Sequence, residues 1–287
     1  MDLALVVARF LHFAATMALF GASLFAAALA PASLAPDLNP LLRRLVPALA
    51  WLALASALAW LSFVARDMAG GHLDLDTFGA ALNDTSFGRV WQGRLALLAL
   101  LAITAVRPDK RRRAPAAVGA LCVASLGLVG HAAMQDGGLG VAHRLNHALH
   151  LLAASAWLGG LAPFLLCLNR FLRAPERRDA LAAMMRYSRA GHFAVVAVFV
   201  SGALDVAMTT QALPWPPVTP YRLCLAAKIG VYFAMVALAL VNRYALAPRI
   251  SRQPAAARAL AAGALAEIAL ALTAIALVSA FGTFNPR

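Results

Sequence analysis

Long apolar runs recur along this chain, and their recurrence excludes most of what 287 residues can become. The runs fall at roughly 4–30, 44–65, 89–106, 115–133, 142–168, 187–209, 222–246 and 257–281. Each approaches or exceeds the roughly twenty helical residues needed to cross a hydrocarbon core of about 30 Å. A closed β-barrel is the other spanning solution, but it requires alternation of apolar and polar residues. These runs are instead continuous and rich in Ala and Leu, so helices are expected. With 62% hydrophobic and only 13% charged residues, no stretch remains for a separate soluble module. The expectation is an all-α polytopic membrane protein, a bundle of eight transmembrane helices forming a single domain over 1–287.

A net charge of +13 suggests nucleic acid in a soluble chain, so the placement of the charges decides its meaning. Most of the 25 Lys and Arg residues sit in alternate connections. One set holds Arg43 and Arg44, the 107–113 cluster, the 170–189 cluster and Arg243 to Arg258. The positive-inside rule makes those connections cytoplasmic and both termini periplasmic. The basic balance is then a topological signal, and no nucleic-acid partner is expected; the contacts implied are with membrane lipids. The chain begins Met-Asp without a basic n-region, and its first run is too long for a signal peptide, so it is expected to remain as a span. Cys122, Cys167 and Cys224 lie apart in apolar runs and read as small buried residues. The 66–88 connection, with Asp67, Asp74, Asp76 and Asp84, is longer than most and is a candidate docking surface on the periplasmic side.

Chemistry concentrates between 131 and 150. His143, His147 and His150 stand at i, i+4 and i+7, offsets that return to one helical face. His147 then lies about 6 Å and His150 about 10 Å deeper than His143. Three ligands spread that far suit successive sites better than one closed site. His131 and Met134 lie just upstream across a Gly-rich turn, at the outer mouth of this stripe. Imidazole with thioether suits copper, and thioether favours Cu(I). His12, in the first run, is expected at the depth of His150, with Met17 one turn below it. An isolated intramembrane histidine more often bonds between helices than binds metal, which is the expectation for His192. Several on one face are costly to desolvate unless they pair or line a cavity.

Other ionisable groups within the runs are less specific. Asp205 and Lys228 are positioned for an ion pair in the outer half, and Arg94 lies within the third run. Glu267, near the middle of the last run, is compatible equally with structure, proton movement and cation passage. No Walker motif, Rossmann glycine pattern, Ser/His/Asp arrangement or HExxH stands in the chain, so neither ATP-driven transport nor familiar hydrolysis has support. The expectation is a protein that is not an enzyme.

Several segments together resemble the CopD/PcoD family of copper-resistance membrane proteins. They are FGRVWQGR at 87–94, GHAAM at 130–134, HALHLLAASAWLGGL at 147–161, YSRAGHFAV at 187–195, SGALD at 201–205, the Lys228 segment, NRYALAP at 242–248, and Glu267. The resemblance implies a bacterial inner-membrane protein that handles copper ions and moves them from periplasm to cytoplasm. It also implies a separate periplasmic CopC-like partner, since this chain has no room for a fused one. Two other readings stay open at this point. Histidines on facing helices also ligate haem, with His12 and His150 as the axial pair of an electron-transfer protein. A copper-delivery subunit without transport would bind the same ion.

Overall fold

The computed structural model describes residues 2–107, 109, 112–130, 135–173, 177–210 and 219–282. Among the described residues the chain is helical and contains no strand. The α-helices are α1 (Leu3–Leu24), α2 (Ala35–Met68), α3 (Leu75–Asn83), α4 (Ser86–Val106), α5 (Arg113–Ala124), α6 (Gly137–Arg173), α7 (Arg177–Thr210), α8 (Pro220–Leu240) and α9 (Pro254–Phe281). Local chemistry sets many of the starts. Asp2, Asp74, Thr85 and Thr219 accept from the first free backbone N–H groups of α1, α3, α4 and α8. Pro220 and Pro254 open α8 and α9, where a missing N–H costs nothing. One π-helical turn, Phe25–Leu29, extends α1 and another, Val241–Leu246, extends α8.

Among the described residues seven helices are long and apolar enough to span a membrane, which makes this an all-α polytopic membrane protein. The expected fourth run, 115–133, differs. It contributes only the 12-residue α5 and a 3-10 turn, Ser125–Leu128. With the 3-10 turn the segment rises about 26 Å, close to the thickness of the hydrocarbon core. Where α5 passes into the 3-10 turn it meets Arg94 of α4, which is only 1% exposed. Its Nη1 donates to the Cys122 carbonyl at 2.9 Å and to Ser125 Oγ at 2.6 Å. A cation there satisfies the Cys122 carbonyl and the negative end of the α5 dipole. Beyond the cap, Gly127 packs against the α6 backbone at Arg144, and Gly130 turns the chain with φ of 77°. The 66–88 connection also departs from a plain loop, because it folds the short helix α3.

Helix α1 lies at the centre, against α2, α5, α6 and α9. Its approach to α6 depends on the absence of side chains. A Cβ on Gly21 would lie 2.1 Å from the Ser155 carbonyl oxygen and 2.6 Å from Gly159 Cα. Small residues let transmembrane backbones meet, so van der Waals packing replaces the hydrophobic effect that lipid cannot supply. Cys122 and Cys167 are buried and form no disulfide among the described residues. Large apolar side chains point outward on α7 and α8, with Phe193 79% exposed and Val196 60% exposed. Such a surface belongs in lipid.

Candidate functional site

Helices α6 and α7 run antiparallel, and near the end remote from the Arg-rich connections they face each other with complementary polar groups. His143, His147 and His150 share the face of α6 expected from their spacing. Ser201 and Asp205, four residues apart on α7, share the face that meets it. Gln135, just before α6, donates from Nε2 to the Met208 carbonyl at 2.6 Å. Its Oε1 is thereby left to accept from His143 Nδ1 at 3.0 Å. The Asp205 carboxylate accepts from His147 Nδ1 at 2.7 Å and from Asn146 Nδ2 at 2.6 Å. Asn146 Nδ2 also reaches the Ser201 carbonyl at 2.8 Å. The Ser201 hydroxyl donates to the Ala197 carbonyl, so its oxygen accepts from His150 Nδ1 at 3.0 Å.

These partners dictate tautomer. An imidazole whose Nδ1 donates keeps its lone pair on Nε2. All three histidines are in that state, with the coordinating nitrogen left over. The His147 and His150 rings stack nearly parallel, 8° apart in plane and 6.2 Å between centroids. His143 Nε2 lies 3.7 Å from Asp205 Oδ1, two acceptors across a gap too wide for a hydrogen bond and wide enough for a cation between them. Access does not follow depth along the stripe: the His147 side chain is 30% exposed, whereas His143 is 2% and His150 7% exposed. Gly202 makes the inner position possible, since a Cβ there would stand 3.2 Å from His150 Cε1. Among the described residues no three His, Cys, Asp or Glu side chains converge on one point in the manner of a closed metal site. Orienting carboxylates and hydroxyls behind metal-facing imidazoles nevertheless form the usual outer shell of a metal site.

Other candidates are placed elsewhere. His131 and Met134 lie outside the described residues. His12 does not join His150: it faces α2 and α4, where Nδ1 donates to the Ala53 carbonyl at 2.9 Å and Nε2 accepts from Arg94 Nη2 at 2.5 Å. With both nitrogens engaged and Trp60 and Trp91 rings at 5.9 Å, no lone pair is left for copper or haem iron. His12 and His150, expected at one depth, are therefore placed to share neither an ion nor a haem iron in this structure. Met17 packs with Trp157, Leu158 and Met235 as apolar filler. Asp205 and Lys228 make no ion pair within 4.0 Å among the described residues. The carboxylate turns instead to the nearer donors on α6. Glu267 accepts from Asn242 Nδ2 at 2.7 Å and from Trp157 Nε1 at 3.1 Å, tying α6, the π turn after α8 and α9 together. His192 bridges the Ser188 carbonyl and the Tyr244 hydroxyl, an interhelical bond of the expected structural kind.

Sequence reasoning missed the orienting shell. Gln135, Asn146 and Ser201 are ordinary polar residues along the chain, and only the α6–α7 register reveals what they hold. One signal was present: Ser201 and Asp205 stand at i and i+4, the spacing of His143 and His147.

Two family descriptions match the chain, "Copper resistance protein D-like, N-terminal domain" over residues 1–141 and "Copper resistance protein D" over residues 181–281. The chain is 33% identical over 252 residues to the inner membrane protein YebZ of Escherichia coli, covering 85% of each. It is 26% identical over 261 residues to copper resistance protein D of Pseudomonas syringae pv. tomato, covering 86% of this chain and 83% of that one. A match of 28% identity over 170 residues to the copper transport protein CutJ of Bacillus subtilis covers 56% of this chain and 31% of that protein. No solved structure matches.

Proposed function

Since this chain belongs to the copper resistance protein D family and is a multi-pass inner-membrane protein, we propose that it carries copper ions as cargo from periplasm to cytoplasm. The observation behind this reading is the set of three α6 imidazoles whose Nδ1 protons are held by Gln135, Asp205 and Ser201, with their Nε2 lone pairs left for a metal. An arriving ion meets His147 first, the most accessible of the three. The Asp205 carboxylate raises the basicity of that imidazole, as outer-shell carboxylates do. The stacked His150 ring offers the next nitrogen inward, and His143 opposite Asp205 completes the outer position. His131 and Met134 belong to the mouth of the same path. Separate positions with few ligands each favour passage over storage.

The same reading takes residues 1–287 as one transmembrane domain with both termini periplasmic, because the Arg-rich connections then face the cytoplasm. It also takes the 115–133 run as an eighth crossing, since Arg112 at the start of α5 bonds to Ala105 and Asn39 and the 3-10 extension meets α6 at Arg144. A separate periplasmic CopC-like protein would deliver copper at the segment around α3, where Asp67, Asp74, Asp76 and Asp84 lie. The test is copper accumulation in proteoliposomes, with and without a reductant, for the natural chain and for the double variant His147→Ala, His150→Ala. Loss of accumulation in the variant at normal membrane insertion is expected, and the reductant dependence identifies the oxidation state carried. Unchanged accumulation in the variant would sink the path; binding by the natural chain with no accumulation would make it a delivery subunit.

A further inference from the structure

At the opposite end of the bundle, α2, the end of α4 and the start of α5 enclose a cavity of about 500 Å³. Its polar lining is unusual for a loop region: Arg43, Arg107 and Arg112 face one space with a single carboxylate, Asp109. Asp109 Oδ2 accepts from the Ala114 N–H at 3.1 Å, at the first turn of α5. Arg112 is the built part of the site. It is only 3% exposed, and it adopts the left-handed conformation with φ of 52°, which non-glycine residues rarely take. Two of its nitrogens reach the Ala105 carbonyl at 3.2 Å and Asn39 Oδ1 at 3.3 Å, while Nε has no partner. Burial lowers the Arg112 pKa from its ordinary value, with Asp109 opposing the shift and Arg43 adding to it. Among the described residues neither Arg43 nor Arg107 makes a hydrogen bond or ion pair, so both guanidinium groups are available.

A topological signal needs only solvated charge beside the membrane. It requires neither a cavity nor a buried guanidinium held in a rare backbone conformation. Three like charges gathered around one space, one of them desolvated, fit an anion between them. The wall identifies its source. Ala105 and Val106 line the same cavity at the end of the apolar span Ser86–Val106, and Pro47 lines it from within the first third of the span Leu38–Met68. That is the height at which a lipid phosphate sits, with apolar surface continuing toward the acyl region. We propose that this cavity binds the phosphodiester headgroup of an anionic phospholipid from the leaflet at this end. Arg43 and Arg107 fork onto the phosphate oxygens, and Arg112 supplies buried positive charge behind them. The site is independent of the α6–α7 histidines and of any cargo.

The experiment titrates phosphatidylglycerol onto the full chain, purified in detergent with phosphatidylethanolamine, and reads bound lipid by native mass spectrometry. The variant is Arg43→Gln with Arg107→Gln, two exposed residues with no partner among the described residues, and its fold is followed by circular dichroism and gel filtration. Losing two phosphate-facing cations should weaken apparent affinity about thirtyfold. Arg44→Gln, an exposed neighbour outside the lining, should leave affinity unchanged. Equal binding by the double variant, or an equal loss with Arg44→Gln, overturns the site. A parallel titration with inorganic phosphate separates the two sources: phosphate bound in preference to lipid overturns the lipid assignment.

Discussion

The carboxylate of Asp205 holds the His147 tautomer, and Asp205→Asn tests that role directly. In the natural protein one oxygen accepts from His147 Nδ1 at 2.7 Å and the other from Asn146 Nδ2 at 2.6 Å. The amide offers only one acceptor oxygen to these two donors, and its NH₂ group faces one of them. His147 then loses its Nδ1 partner or shifts its proton to Nε2, which removes the lone pair a metal would use. A hydrogen bond to a charged group contributes about 1.5–3 kcal/mol. Loss of an outer-shell partner lowers metal affinity about 10–100-fold, or about 1.4–2.8 kcal/mol. The two magnitudes agree. Copper affinity in detergent, measured by competition with a chelator of known affinity, should fall by that factor at unchanged helicity. In a His147→Ala background the same substitution should cost almost nothing further, so the double-mutant cycle should return most of the single effect as coupling. Natural affinity in Asp205→Asn, or full additivity with His147→Ala, would refute the reasoning. Ser201→Ala removes a neutral acceptor from His150 and should cost less, about 0.5–1.5 kcal/mol.

His12→Phe should separate packing from cargo. It removes the acceptor of the buried Arg94 Nη2 and should lower stability by about 1–3 kcal/mol, with copper affinity unchanged. Thermal unfolding beside the copper titration checks both, and a loss of affinity at full stability would return His12 to the metal path. Gly21→Ala places a Cβ 2.1 Å from the Ser155 carbonyl, where only backbone can give way. Helices α1 and α6 must part, at a cost of about 1–3 kcal/mol; an unchanged unfolding temperature would contradict the close crossing.

Much of the architecture is legible in residue order, because spanning helices satisfy their own backbone groups and must be apolar over a length set by the bilayer. The seven long spans follow the expected runs to within a turn or two at many ends. In the 115–133 run the regular α-helix gives way to a 3-10 turn after Ala124, where Arg94, a residue on another helix, bonds the Cys122 carbonyl and Ser125. The region around α3 departs for a local reason: Asp74 caps a nine-residue amphipathic helix too short to register as a span.

The candidate site divides in the same way. The common face of His143, His147 and His150 needs only the helical period, and the sequence by itself determined it. It also determined the class of side chain gathered there and the separation of the basic connections from the site. Depth alone placed His12 beside His150, and depth says nothing about which way a helix is rotated. Only the tertiary structure turned His12 toward Arg94 and Asp205 toward His147, because the partner of a buried polar group is whichever donor the packing of neighbouring helices brings within about 3 Å.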